Sequence, residues 1–318
     1  MTNMMNVVRP FVFALVLAAP ALAAAVEAPD PARLRLASAN ALVYDAETGR
    51  ELYQKGADAV TPIASVTKLM TAMVVLDANL PLDEPLSVDI GDLDMIKGSS
   101  SRLSMGVELP RREMLRLALM ASENRAASAL ARHYPGGSEA FVAAMNAKAV
   151  SLGMTRTHFD DSTGLSPSNV STARDLAKMV EAAAGYPAIR EYSVTPSHVV
   201  EVQPTGRMLG FNNSNRLVQS SAWDIQLQKT GYIREAGRCL VMLAQIASRP
   251  VVIVLHYTEQ DSVEQSLDTL RSRNSGGRVS SHYLLGKDDG QPKSAEWASS
   301  VCGVEAKVIR QLALDMAA

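Results

Sequence analysis

Three short stretches carry residue types whose spacing suits one chemistry. The first, TPIASVTKLM (61–70), sets Ser65 and Lys68 three apart where an apolar run begins. Residues i and i+3 share a helix face, so the lysine amine can reach the serine hydroxyl. A serine needs a base to become a nucleophile. A lysine can be that base once desolvation or nearby positive charge lowers its pKa. A helix N-terminus adds partial positive charge and backbone N–H groups that can hold an oxyanion. The second stretch, MASENRAASALA, sets Ser122 and Asn124 two apart. The asparagine can donate an amide hydrogen bond to a substrate carbonyl, and the serine can pass a proton to a leaving amine. The third, QLQKTGYIREAG, holds Lys229, Thr230 and Gly231. Lysine and threonine can bind a carboxylate together, and the glycine lets a ligand backbone lie close to an edge strand.

Each stretch alone also fits a plain structural role. Ser65 can be a cap and Lys68 a solvated helix residue. Ser122 and Asn124 suit a helix end, and Lys-Thr-Gly suits a solvated strand end before a turn. What discriminates is the set, its order, and the elements that carry it.

Those elements can be read from hydrophobic period and turn residues. ALVYDAETGRELYQK (41–55) predicts a hairpin around Gly49. From Ser65 onward Val66, Leu69, Met70, Met73 and Val74 recur at helical spacing, placing Ser65 at or next to a helix N-terminus. Residues 79–110 are rich in proline and glycine and read as loop. Helical pattern follows over RREMLRLALMASENRAASALARHY, with a break near Ser122, then over 138–153 and 171–185. Thr172 with Asp175 three later resembles a capping box. WDIQLQKTG, RCLVMLAQI and VVIVLHYT are strand candidates separated by turns. The predicted fold is α/β in the α+β sense: an antiparallel sheet of about five strands built from both chain ends, flanked by helices, with a helical subdomain between. The Ser-x-x-Lys then opens a helix, Ser-x-Asn lies at a helical break, and Lys-Thr-Gly ends a strand. That order is the one known for serine enzymes that react with penicillins.

On these residues the chain resembles the serine D-Ala-D-Ala peptidases, the low-molecular-mass penicillin-binding proteins, over roughly residues 38–270. MNAKAVSLGMTRTHFDDSTGLSPSNVSTARDLAKM (145–179) and KTGYIREAGRCLVM (229–242) agree with it. Glu123 within SENRAASALARHYPGG, where many carboxypeptidases carry glycine, and AGRCLV after Lys-Thr-Gly make it more similar to the D-alanyl-D-alanine endopeptidase type, that of penicillin-binding protein 7. The resemblance implies a β-lactamase/DD-peptidase-like fold. It also implies Ser65 as acylated nucleophile, Lys68 as its base, and Ser122 and Asn124 as proton relay and substrate positioner. Lys229 and Thr230 would recognise a terminal carboxylate, with Gly231 beside them. The backbone N–H groups of Ser65 and Tyr232 would form the oxyanion hole, provided Tyr232 continues the strand. Substrates would be peptidoglycan stem peptides, with β-lactams as inhibitors. The implied reaction is endopeptidase cleavage of D-alanyl–diaminopimelate cross-links. The alternatives are a D-Ala-D-Ala carboxypeptidase, a serine β-lactamase, or a silent wall-binding module. A β-lactamase needs a dedicated base for deacylation, and no E-x-x-L-N stretch follows Ser122-x-Asn124.

The rest of the sequence sets limits. It has 318 residues, 47% hydrophobic and 20% charged, enough for a sizeable core. A formal net charge of -2, with signs interspersed, does not favour a polyanionic partner such as nucleic acid. Residues 1–23 read as a cleavable signal peptide: Arg9, an apolar run from Phe11 to Ala19, then Ala21-Leu22-Ala23. This predicts a periplasmic protein with no integral membrane segment after cleavage. The catalytic domain is expected over 24–272, and residues 273–318 are read as a polar, glycine- and serine-rich tail, disordered or loosely attached. The five histidines lack metal-ligand spacing, so neither metal nor cofactor is expected. Cys239 lies in an apolar run and reads as a buried thiol; a pair with Cys302 is the other option. Asp160 and Asp161 are read as fixing the loop into Thr163-Gly164-Leu165, and FNNSNRLV (211–218) as polar loop near Lys-Thr-Gly.

Overall fold

A computed structural model describes residues 38–92, 101–246 and 248–257. The expected signal peptide, the polar tail and Cys302 lie outside the described residues. The chain opens with the hairpin β1 (Asn40–Asp45) and β2 (Glu51–Lys55), then the short β3 (Thr61–Pro62). A 3-10 turn over Ala64–Thr67 leads into α1 (Lys68–Asp77). The proline- and glycine-rich stretch contains β4 (Pro85–Ser87) and β5 (Glu108–Pro110), which pair with each other. Helices α2 (Arg111–Met120), α3 (Asn124–Arg132) and α4 (Gly137–Ser151) follow, then β6 (Val170–Ser171), α5 (Ala173–Ala184) and α6 (Pro187–Ser193). A hairpin β7 (Ser197–Val202) and β8 (Arg207–Asn212) precedes the long strands β9 (Asp224–Ile233), β10 (Gly237–Ile246) and β11 (Arg249–Tyr257).

The main sheet has five antiparallel strands in the order β2-β1-β11-β10-β9. It is thus assembled from both ends of the described chain, as expected. Val251 to Leu255 of β11 are all buried, because the strand is central. One face, with Leu42, Val241, Val252 and Val254, joins the helical core around α1, α2 and α5. The strand that carries Lys-Thr-Gly, β9, is one of the two edge strands and packs against the Ala64–Thr67 turn and α6.

The structure departs from the sequence reading in several places, first in the stretch 79–110, read as loop, which holds the paired strands β4 and β5. Ser65 lies in the 3-10 turn that runs directly into α1 at Lys68, next to the helix N-terminus as expected. The β7–β8 hairpin and α6 were not expected. In the hairpin Val200, Val202, Leu209 and Phe211 point inward, while Val199 and Met208 stay exposed. Thr172 does cap α5, accepting from the Asp175 N–H at 3.0 Å. Asp175 does not close the box: its carboxylate accepts instead from Arg156 N at 2.9 Å and Thr157 Oγ1 at 3.1 Å.

Candidate active site

The nucleophile candidate is placed by strained backbone. Ala64, just before Ser65, has φ of 48°, a region costly for a residue with a Cβ. Strain of this kind persists only where surroundings over-determine it. Here they do. Ala64 O accepts from Thr67 Oγ1 at 2.7 Å, and Ile63 N donates to Asn169 O at 3.0 Å. Two glycines close the cage. A Cβ on Gly231 of β9 would come within 2.9 Å of Ser65 N, and one on Gly164, whose φ is +83°, within 2.8 Å. Gly164→Ala therefore adds a left-handed alanine and a backbone clash at the nucleophile. We expect a loss above about 2 kcal/mol, read as a lowered Tm together with slowed acylation of Ser65.

Lys68 is fully buried beneath this turn. Its Nζ makes three hydrogen bonds: to Ser65 Oγ at 2.8 Å, Asn124 Oδ1 at 2.7 Å and Thr163 O at 2.6 Å. Two of those partners, an amide oxygen and a carbonyl oxygen, can only accept. When the amine is neutral, its two N–H bonds serve them, and its lone pair faces the one partner that can donate, the Ser65 hydroxyl. That is the geometry of a general base and its nucleophile. Burial lowers the Lys68 pKa to about 7, against the opposing pull of the Asp161 and Glu123 carboxylates. The amine is thus poised near neutral pH.

Thr163 is a site residue through its backbone carbonyl, which the motifs do not reveal. Its loop is held from within. Asp161 Oδ1 accepts from Thr163 N at 2.5 Å and Gly164 N at 2.6 Å, and Oδ2 from Ser166 N at 2.7 Å. Asn169, fully buried, accepts from the N–H groups of Asp160 and Asp161 at 2.7 and 3.0 Å and donates to Thr67 Oγ1 at 3.0 Å. The two aspartates do fix this loop. The hint in the sequence was the D-D-S-T-G run with Asn169 behind it, a pattern of turn-capping side chains.

Ser122 lies in the three-residue link between α2 and α3, with φ of 58°. Asn124 opens α3 and reaches Lys68, while Glu123 caps that helix by accepting from Arg125 N at 3.3 Å. The structure brings Asn124 onto the serine–lysine pair. Ser122 stands beside them in the chain, but Lys68 bonds to Ser65, Asn124 and Thr163.

Lys229, Thr230 and Gly231 form the outer rim of β9. Lys229 is buried, donates to Thr230 O at 2.7 Å, and has its pKa pushed well down by burial and by the charge of Lys68. An acceptor-only anion bound here would restore its charged form. Thr230 Oγ1 lies 2.6 Å from Ser214 Oγ. Tyr232 continues β9, opposite Arg238 of β10, with its side chain 56% exposed. The strand condition for its backbone role is therefore met. Cys239, facing Gly231 from β10, is buried and its thiol pKa is raised by that burial, which leaves it inert.

Comparison with known proteins bears on all of this. A family described as D-alanyl-D-alanine carboxypeptidase matches residues 24–258. The chain is similar to the D-alanyl-D-alanine endopeptidase of Escherichia coli, 49% identical over 77% of this chain and 80% of that protein. It is also similar to the D-alanyl-D-alanine endopeptidase of Pseudomonas aeruginosa, 48% identical over 75% of this chain and 80% of that one. Among solved structures it resembles the Streptomyces K15 DD-transpeptidase, with a TM-score of 0.66 and 30% identity over 72% of this chain and 95% of that one.

Proposed function

This chain belongs to the D-alanyl-D-alanine carboxypeptidase family of serine peptidases, and from that premise we propose that it is a penicillin-sensitive DD-endopeptidase. It cuts D-alanyl–diaminopimelate cross-links in peptidoglycan through an acyl-enzyme on Ser65. The observation that carries the chemistry is the Lys68 Nζ to Ser65 Oγ contact of 2.8 Å, inside a lysine environment whose other partners only accept. Ser65 Oγ attacks the D-alanyl carbonyl while Lys68 takes its proton. The oxyanion is received by the N–H groups of Ser65 and Tyr232. The proton then passes to the leaving amine, through Ser122 when that hydroxyl swings toward Lys68. Lys229 and Thr230 hold the carboxylate next to the leaving nitrogen. Water then attacks the ester and frees Ser65.

The names of the two relatives support the endopeptidase over the carboxypeptidase reading. The loop after Ser122-x-Asn124 supports a peptidase over a β-lactamase. Asp161 has both oxygens engaged by loop amides, and Asp160 Oδ2 accepts from Ser166 Oγ at 2.7 Å. Neither is set up as a base for rapid deacylation. A periplasmic site, a cleaved leader over 1–23, a catalytic domain over 24–272 and a polar tail over 273–318 complete the proposal. Among the described residues, no helix is long and apolar enough to cross a membrane. The test is digestion of purified cross-linked muropeptide dimers followed by chromatography and mass spectrometry. Conversion of dimers to monomers is expected. Release of terminal D-Ala alone, with dimers intact, replaces the endopeptidase with the carboxypeptidase.

A further inference from the structure

The segment FNNSNRLV, read from the sequence as loop, begins with the last two residues of β8, Phe211 and Asn212, and runs into a 3-10 turn over Arg216–Gln219; it has no role in the mechanism above. Its middle residue, Ser214, is solvent-exposed, yet its backbone N–H is tied down and both its neighbours are buried. Ser214 N donates to Met120 O, at the end of α2, at 2.7 Å. On either side stand two buried asparagines. Asn213 Nδ2 donates to Ser193 O and Thr195 O, both at 2.9 Å. Asn213 Oδ1 accepts from Asn215 N and from Gln228 Nε2, again at 2.9 Å each. Asn215 Oδ1 accepts from Leu217 N at 3.1 Å. Gln228 is wholly buried and immediately precedes Lys229. An exposed serine thus rides on a rigid polar frame that locks it to the strand carrying Lys229 and Thr230. Such a frame is what a positioned functional group requires and what an ordinary surface loop lacks.

The frame delivers the Ser214 hydroxyl to 2.6 Å from the Thr230 hydroxyl. We propose that Ser214 is a positioning and specificity residue that orients the Thr230 hydroxyl as a donor to the substrate carboxylate. The proposal rests on the carboxylate-recognition reading of Lys229 and Thr230 given above. Two adjacent hydroxyls can share protons in either direction, and the bare pair does not choose. A carboxylate only accepts. Once it binds, the Thr230 proton must point at it, and Thr230 Oγ1 is left as the acceptor for the proton of Ser214. The result is a one-way chain, Ser214 O–H to Thr230 O–H to carboxylate, in which each bond polarises the next. A neutral ester in the same place offers a weaker acceptor and does not draw on the chain to the same extent.

The experiment compares acylation of Ser65 by benzylpenicillin and by its methyl ester, followed by intact-protein mass spectrometry. The readout is the ratio of the two second-order rates within each protein, so a variant that is partly unfolded lowers both rates and leaves the ratio unchanged. The wild type is expected to prefer the free acid. Ser214→Ala should lower that preference about tenfold, the size expected for losing one hydrogen bond in a charge-assisted chain, and Ser214→Thr should restore it. A wild-type preference that persists in Ser214→Ala, or a loss that Ser214→Thr does not recover, overturns the proposal while leaving the peptidase reading intact. Failure of the wild type to be acylated by either compound overturns that reading, and the role of Ser214 falls with it.

Discussion

Benzylpenicillin added to the full chain is expected to leave a persistent adduct on Ser65, and Ser65→Ala is expected to take none. The expectation follows from the arrangement of the pair. A β-lactam carbonyl meets the same oxygen, the same base and the same N–H groups as a peptide carbonyl. Its leaving nitrogen, however, stays tethered and obstructs the water that must follow. Asp160 and Asp161 are held by their own loop, so neither is prepared as a base for deacylation. Groups that act as one unit lose nearly everything when one is removed. Loss of the nucleophile in a serine hydrolase costs on the order of 10⁶ in kcat. Cleavage of cross-linked peptide by Ser65→Ala should therefore fall to background. Intact mass and a peptide map locate the adduct. Drug consumed rapidly with no adduct would identify a β-lactamase instead. Drug left intact by a folded protein would dismiss the nucleophile altogether.

How much of this was legible before the structure depends on which atoms do the work. Ser65, Lys68, Asn124 and Lys229 can be singled out from the sequence because the chemistry proposed for them sits in the side chain, and side-chain type is what a sequence spells. The long strands β9, β10 and β11 were visible because their apolar runs are bounded by Glu235-Ala236-Gly237 and by Arg249-Pro250. Thr163 was not visible as a site residue, since it contributes a carbonyl that every residue owns. The same holds for the left-handed backbone at Ala64 and Ser122. Local preference opposes both, and only tertiary contact with Gly164, Gly231 and Asn169 makes the first affordable. The β7–β8 hairpin was missed although Pro204-Thr205-Gly206 marks its turn and inward Val200, Val202, Leu209 and Phe211 alternate around it. That signal is weak because the outward positions include Val199 and Met208, which blur the alternation. The position of Ser214 depended on the frame of Asn213, Asn215 and Gln228, three amides whose partners lie on different elements.

Lys68→Met is expected to abolish acylation and, at the same time, to flatten the pH dependence of stability. Both effects come from one cause. Burial brings the Lys68 pKa to about 7 in the folded chain, whereas an unfolded lysine titrates near about 10.4. Acylation requires the neutral amine, so the wild-type rate should rise with pH through about 7 and then level. Glu123 favours the charged amine, so Glu123→Gln should move that midpoint to lower pH. For stability the sign runs through protons bound. Between these two pKa values the unfolded chain holds a proton that the folded chain has released, so raising the pH favours the fold; below the lower value the full burial penalty is present. The slope from this one group is about 1.4 kcal/mol per pH unit in the middle of that window. Lys229 contributes in the same direction, chiefly through its own burial, which the variant keeps, while the push from the Lys68 charge is lost. The informative quantity is therefore the difference between wild type and Lys68→Met in urea unfolding at pH 8, 9 and 10. A difference that grows in favour of the wild type by about that slope is expected. Parallel stability curves would mean that Lys68 keeps an ordinary pKa, and an amine charged at neutral pH cannot take the proton of Ser65.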